Sequence, residues 1–123
     1  MNLKKLYLPV LVGFLCTYCT RDQLPANPLD SPVCDNLIVA YELNVKAILD
    51  ESCAYGGCHP GYNRFDNLLP ILENGSFRSR VIELESDPNL GMPPDYAPSD
   101  RPRELTADQL ELLACWLADN FPE

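Results

Sequence analysis

The chain has few side chains that can bind a transition metal or act as a general base near neutral pH. Its 123 residues include one histidine, His59, and two methionines, Met1 and Met92. A Ser-His-Asp hydrolase needs a histidine as its base, and His59 lies in a cysteine motif that assigns it to other chemistry. The sequence also has no glycine-rich phosphate-binding loop. Hydrolase and transferase activities therefore find no support, and we do not expect an enzyme.

Strand patterns are missing as well. No segment alternates apolar and polar residues as a half-buried strand does, and we find no internal repeat. Apolar residues recur instead at helical spacing. The sequence therefore predicts an all-α fold, formed by one small domain with long loops.

The N-terminal apolar run is too short to cross a membrane. It spans residues 6–15, LYLPVLVGFL, whereas a transmembrane helix needs roughly 20 apolar residues. It follows Lys4 and Lys5, which is typical of a secretory signal. Pro9 disfavours the alternative, a buried N-terminal helix. We predict a signal peptide at residues 1–18 and an exported protein.

Two cysteines follow the apolar run, Cys16 and Cys19. A cysteine at this place resembles the acylation site of a bacterial lipoprotein. The residues before either cysteine fit the usual small-residue pattern poorly, but the polar chain starts directly after Cys19. We expect Cys19 to carry the lipid and to hold the protein in the periplasm or at a cell-envelope membrane. The alternative is a simple signal peptide that is cleaved nearby.

Basic residues are scarce. The chain has 9 Lys and Arg against 18 Asp and Glu, a net charge of −9. Loss of Lys4 and Lys5 with the signal peptide would leave −11. Such a chain does not bind nucleic acid backbones unaided, so we expect no nucleic acid partner. Its charge suits a protein partner with a basic docking face.

Prolines separate a linker from a folded part. Residues 19–33 contain Pro25, Pro28 and Pro32 and few apolar groups, which predicts a flexible tether. The domain then covers residues 34–123. At about 90 residues it is small enough that a disulfide or a cofactor would help it to fold.

Three helices are predicted in the first part of this domain. Asp35 is a possible N-cap of the first helix. Its apolar stripe consists of Leu37, Ile38, Tyr41, Val45, Ile48 and Leu49. A second helix starts at Asp66 and ends at Asn74 and Gly75. A third, weaker helix covers residues 76–84.

The last helix has the clearest start. It follows a proline-rich loop at residues 87–102. Thr106 and Gln109 fit a capping box, and Leu105 and Leu110 are placed as a hydrophobic staple. The predicted buried stripe is Leu110, Leu113, Trp116 and Leu117.

The stretch CAYGGCH, residues 53–59, places two thiols beside the only imidazole. A histidine directly after the second of two cysteines is the pattern of c-type haem attachment. The usual spacing has two residues between the cysteines and here there are four. A Gly-Gly pair within the spacer lets the backbone accommodate the extra length. We predict Cys53 and Cys58 as thioether attachment residues and His59 as an axial iron ligand; attachment through Cys58 alone stays open.

Met92 is the only methionine outside the signal peptide. It lies in the stretch GMPPDY, where Gly91 gives clearance and Pro93-Pro94 stiffen the loop. A thioether presented by a rigid loop suits the second axial position of a haem iron. We therefore predict His/Met ligation of one haem c.

Together these motifs resemble the small single-haem cytochrome c domains of exported lipoproteins from Gram-negative bacteria. The shared features are, in order, Ile48-Leu49, Cys53, Gly57-Cys58-His59, Met92-Pro93-Pro94, Leu105-Thr106, Gln109 and Trp116. They cover about residues 34–121. The resemblance implies that the N- and C-terminal helices pack across each other, that Cys53 and Cys58 attach the haem, and that His59 and Met92 bind its iron.

Three further residues acquire possible roles from this resemblance. If the first and last helices pack together, a Cys34–Cys115 disulfide is reachable. Cysteine parity also allows two disulfides among Cys34, Cys53, Cys58 and Cys115. Arg80 is a candidate partner of a haem propionate, and the alternative is a surface ion pair.

Electron transfer is the function that these expectations favour, because an iron with both axial positions filled has no open site. A haem-based gas sensor, in which Met92 is displaceable, stays open. So does a cofactor-free interaction domain stapled by a Cys53–Cys58 disulfide. A zinc site of Cys53, Cys58 and His59 with Asp66 is less favoured, because adjacent Cys and His ligands suit one tetrahedral centre poorly.

Overall fold

The computed structural model describes residues 28–30 and 32–123, and every regular element within them is helical. A 3-10 turn, Pro28–Asp30, comes first, and helix α1 follows as a π-helical turn, Tyr41–Val45, that continues into an α-helix, Lys46–Ser52. Helix α2 is Phe65–Glu73, and helix α3 is an α-helical turn, Ser76–Arg78, that continues into a π-helical turn, Ser79–Glu83. Helix α4 is Ala107–Ala118. The all-α prediction is confirmed for this part of the chain.

The N-terminal predictions lie largely outside the described residues. These are the signal peptide at residues 1–18, the lipidation of Cys19 or Cys16, and most of the tether at residues 19–33. The described end of that segment, Pro28–Asp30, contacts α4, and Leu29 packs against the core. No helix in residues 28–30 or 32–123 is long and apolar enough to cross a membrane.

Helix α1 begins at Tyr41, well after the predicted cap Asp35. One reason is the side chain of Asn44. Its Oδ1 accepts a hydrogen bond from the Ala40 N–H at 3.1 Å, and its Nδ2 donates to the Ile38 carbonyl at 3.1 Å. These bonds hold the chain extended ahead of the helix, so the first turn forms later than the apolar spacing predicts.

This late start corrects part of the predicted apolar stripe. Leu37 and Ile38 are 46% and 80% exposed, because they precede the helix and do not share its buried face. The four remaining members are buried: Tyr41, Val45, Ile48 and Leu49.

Helices α2 and α3 follow their predictions closely. Asn74 is the C-cap of α2, and Gly75 has a φ of 77°, in the left-handed region that favours glycine. The turn at Gly75 leads directly into α3, which buries Phe77, Val81 and Ile82. The predicted third helix at residues 76–84 therefore exists, in a partly π-helical form.

Helix α4 lies at the centre of the fold. Its Trp116 is fully buried, with ring centroids 6.4 Å from Tyr41 of α1 and 6.1 Å from Phe77 of α3. The predicted contact between the first and last helices is thus present. The capping box is also present: Thr106 Oγ1 accepts from the Gln109 N–H at 3.2 Å, and Gln109 Oε1 accepts from the Thr106 N–H at 2.8 Å.

A disulfide joins Cys34 to Cys115, with the two Cα atoms 5.6 Å apart. It connects the segment before α1 to the buried face of α4 across 81 positions of sequence. This pairing is the one expected if the first and last helices pack together. It removes two of the four domain cysteines from any other role.

Candidate functional site

One cleft of about 450 Å³ brings together the side chains that the sequence singles out. Cys53, Cys58, His59, Arg80 and Met92 all line it. Its other lining residues are Ser52, Tyr55, Gly57, Tyr62, Ile71, Ser76, Phe77, Val81, Pro93, Pro94 and Tyr96. Most of these groups are apolar or aromatic, and the volume is within the range of about 300–1,000 Å³ of small-molecule sites. The structure thus places in one cavity two sequence segments that lie far apart in the chain.

The end of α1 positions the two thiols and the imidazole. Cys53 caps this helix, and its N–H donates to the Leu49 carbonyl at 2.8 Å. The His59 N–H donates back to the Cys53 carbonyl at 3.2 Å, which closes the loop between them. Gly57 has a φ of 99°, a conformation that favours glycine. The four-residue spacer therefore forms a closed loop that keeps both cysteines in the cleft wall.

The two thiols of this loop differ in environment. Neither is in a disulfide; Cys53 is half-buried and Cys58 is exposed. Burial, with a smaller contribution from the Cys58 thiol, raises the pKa of Cys53 to about 11. The thiolate is the reactive form of cysteine, so the raised pKa and the burial of Cys53 both slow its reactions near neutral pH.

We expect iodoacetamide to alkylate Cys58 well before Cys53 in the cofactor-free protein at pH 8. With a pKa near 11, roughly one Cys53 thiol in a thousand is ionised at that pH, and its reaction should speed up as the pH approaches 11. Peptide mapping by mass spectrometry against time measures both rates. After unfolding in urea the two rates should converge; equal rates in the folded protein would contradict the expectation.

His59 is held by an aromatic stack. Its ring lies parallel to that of Tyr62, with centroids 4.5 Å apart and an interplanar angle of 7°. The Tyr62 N–H donates to the His59 carbonyl at 3.0 Å, and the Tyr62 carbonyl accepts from the buried Tyr41 hydroxyl at 3.2 Å. The imidazole is therefore oriented by groups that connect it to the core. This stacking was not predicted from the sequence, because the CAYGGCH motif gives no signal for a partner three residues after His59.

The loop before Met92 is built around Asp87. One carboxylate oxygen, Oδ1, accepts from the N–H groups of Asn89 and Leu90 at 2.8 and 2.9 Å. The Asp87 carbonyl accepts from the Gly91 N–H at 2.8 Å. These bonds fold the chain into a tight turn that delivers Met92 to the cleft.

Gly91 has no room for a side chain. A Cβ at this position would approach the backbone carbonyl oxygens of Leu84, Glu85 and Asp87 more closely than real Cβ contacts allow, with the latter two at 2.7 and 2.8 Å. The clearance predicted from the sequence is therefore a close backbone approach. It fixes the path of the chain immediately before Met92.

We expect Gly91→Ala to lower the free energy of unfolding by about 1–3 kcal/mol, the usual cost of overpacking, and to displace Met92. Chemical denaturation of the purified domain measures the change. Gly56→Ala is the matched control, because a Cβ there meets nothing within 4 Å. Equal stability of the Gly91→Ala variant and the wild type would show that the turn yields without cost.

Arg80 contacts the Met92 loop. Its Nη1 donates to the Leu90 carbonyl at 3.1 Å, and its own carbonyl accepts from the Met92 N–H at 3.0 Å. The sequence analysis considered a propionate or a surface carboxylate as its partner. In the structure the guanidinium has a backbone carbonyl as a partner and the residue lines the cleft, and the propionate contact stays a prediction.

Two hydroxyl groups at the cleft have no hydrogen-bond partner by geometry, those of Ser52 and Tyr55. The Cys58 side chain and burial raise the pKa of Tyr55 to about 12, but sulfur is a weak partner and this contact does not meet hydrogen-bond geometry. A buried hydroxyl without a partner costs roughly 1–3 kcal/mol. A ligand in the cleft that carries polar atoms would give these two hydroxyls a partner.

Within residues 28–30 and 32–123, no three His, Cys, Asp or Glu side chains group closely enough to hold a metal ion by themselves. The arrangement thus gives no support to the zinc site of Cys53, Cys58 and His59 with Asp66. The donors in the cleft are two thiols, one imidazole and one thioether. That set fits a ligand that brings its own metal.

Comparisons of the chain with protein-family models, with curated proteins and with solved structures found no match.

Proposed function

We propose that the protein is a single-haem c-type cytochrome that carries electrons in the cell envelope. The observation that supports this most is the convergence of Cys53, Cys58, His59 and Met92 on one cleft of about 450 Å³. These are two groups that can form thioethers and two that can bind iron, and all lie in a mostly apolar cavity. The cytochrome c-like architecture implied by the sequence motifs is part of the same proposal.

The donor set fits haem c residue by residue. Cys53 and Cys58 would hold the porphyrin through thioethers, and His59 and Met92 would bind its iron. Haem c with two protein ligands on its iron supplies a one-electron ferric/ferrous couple, whose potential methionine ligation raises. Stacking on Tyr62 fixes the His59 ring, and the turn at Asp87 fixes the backbone at Met92.

The surroundings of the cleft suit electron transfer better than catalysis. Buried Phe77 and Val81 form part of its apolar wall. The net charge of −9 would draw the protein towards a basic docking face on a redox partner. A lipid on Cys19 would keep it at a membrane surface, close to that partner.

The first test is a visible spectrum of oxidised and reduced protein made in a host that has a haem c attachment system. We expect a sharp reduced α-band and haem that stays with the protein through acid–acetone extraction. Cys53→Ala and Cys58→Ala show which thiols are attached: loss of extraction resistance only in the Cys58 variant would indicate one thioether. A colourless wild-type protein would overturn the proposal.

A further inference from the structure

The loop that presents Met92 is hydrogen-bonded to helix α3 through both the backbone and the side chain of Arg80. The Arg80 carbonyl accepts the Met92 N–H at 3.0 Å, and the Arg80 guanidinium donates to the Leu90 carbonyl at 3.1 Å. Arg80 therefore forms hydrogen bonds to the residues on both sides of Gly91. The backbone bond holds Met92 next to Arg80 of α3. The side-chain bond holds Leu90, in the turn before Met92, to the same residue.

The part of α3 that carries Arg80 is anchored in the core. Val81 and Ile82, which follow Arg80 in α3, are 4% and 1% exposed and belong to the core. Arg80 itself is on the surface, so its guanidinium reaches from a fixed base to an outer carbonyl. The loop carries no helix or strand of its own from Leu84 to Thr106. Its position at Met92 thus depends on the turn at Asp87, on Arg80 and on the packing of Met92 against the core.

We propose that Arg80 is a positioning residue that keeps the Met92 thioether in the cleft and so keeps competing ligands out. This inference rests on the proposed function, because it assigns Met92 to a haem iron. It also separates the two haem-based functions: a firmly held Met92 makes an electron carrier, and a loosely held one makes a gas-binding site. Arg80 acts on that balance through the Leu90 carbonyl, without contact to the iron.

The test compares Arg80→Gln, Arg80→Lys and wild type, with Arg78→Gln as the matched control. Arg78 is on the same helix and pairs with Glu83 at 3.6 Å, so its variant removes the same charge without removing the bond to Leu90. Carbon monoxide is titrated into the reduced proteins, and amide hydrogen exchange is measured at Gly91 and Met92 in the cofactor-free proteins.

We expect Arg80→Gln to bind carbon monoxide about fivefold more tightly than wild type, the change that loss of one hydrogen bond of about 1 kcal/mol would give. The Gly91 and Met92 amides should exchange faster in the same variant. Arg80→Lys should show smaller changes in both measurements than Arg80→Gln, since an ammonium can also donate to the Leu90 carbonyl. Arg78→Gln should match wild type.

Unchanged carbon monoxide affinity and amide exchange in Arg80→Gln would overturn the inference, as would equal effects of Arg78→Gln. Protein that takes up no haem would overturn the proposed function and the role of Arg80 at the iron. In that case the amide exchange alone would decide whether Arg80 holds the loop.

Discussion

Loss of the Cys34–Cys115 disulfide is expected to lower the free energy of unfolding of this domain by about 4 kcal/mol. The bond closes a loop of 81 positions, and chain entropy in the unfolded state gives a stabilisation of that size for such a loop. Small domains have total stabilities of about 5–15 kcal/mol. The double variant Cys34→Ser/Cys115→Ala should therefore lose a large share of its stability and keep about 1–11 kcal/mol.

Alanine is chosen at position 115 so that the variant loses the disulfide without burying a new polar group. Cys115 is 3% exposed on the buried face of α4, where a serine hydroxyl would add a desolvation cost of its own. Urea denaturation of the variant and of wild type, each with and without reductant, measures the effect. The two proteins should differ without reductant and converge with it; a difference below about 1 kcal/mol without reductant would contradict the entropic argument.

The parts of the fold that could be predicted from the sequence are those set by local contacts. Thr106 and Gln109 start α4 because each satisfies a backbone N–H of the other, three positions apart. Gly75 ends α2 because its left-handed φ is cheap for glycine. Both signals need nothing from the rest of the molecule, so their positions are right to within a residue.

The start of α1 shows why the remainder could not be predicted. Its apolar spacing extends back to Leu37, but the Tyr41 N–H donates to the Pro122 carbonyl at 2.9 Å, near the other end of the chain. That bond and the side chain of Asn44 fix an extended segment ahead of the helix. Periodicity reports only that residues share a face, and it does not report where long-range bonds make the helix begin.

The candidate site also has one part that could be predicted from the sequence and one part that could not. Cys53, Cys58 and His59 are neighbours in sequence, so their proximity follows from the motif alone. Met92 was predicted as their partner from its uniqueness and its proline-stiffened loop, and both segments line one cleft in the structure. The partner of Arg80 could not be predicted, because the Leu90 carbonyl reaches it only through the turn at Asp87.

Replacement of Met92 is expected to produce the largest functional change in the chain. Met92→Ala removes the thioether from the cleft and leaves the rest of the wall in place. If the cleft holds haem as proposed, the iron would then be open to small ligands. Methionine ligation raises the potential of a haem iron. The reduction potential should therefore fall by on the order of 100 mV, within the range of about 0.8 V that axial ligands span.

Met92→His distinguishes the effect of having a thioether as the ligand from the effect of having any ligand at that position. A histidine there keeps a donor in the cleft but is more basic than a thioether, so the potential should fall while carbon monoxide affinity stays low. Met92→Ala should show the fall in potential together with strong carbon monoxide binding. Redox titration and carbon monoxide titration on the same samples measure both. A Met92→Ala protein with wild-type values for both would show that the thioether is not a ligand, even if Cys53 and Cys58 hold a haem.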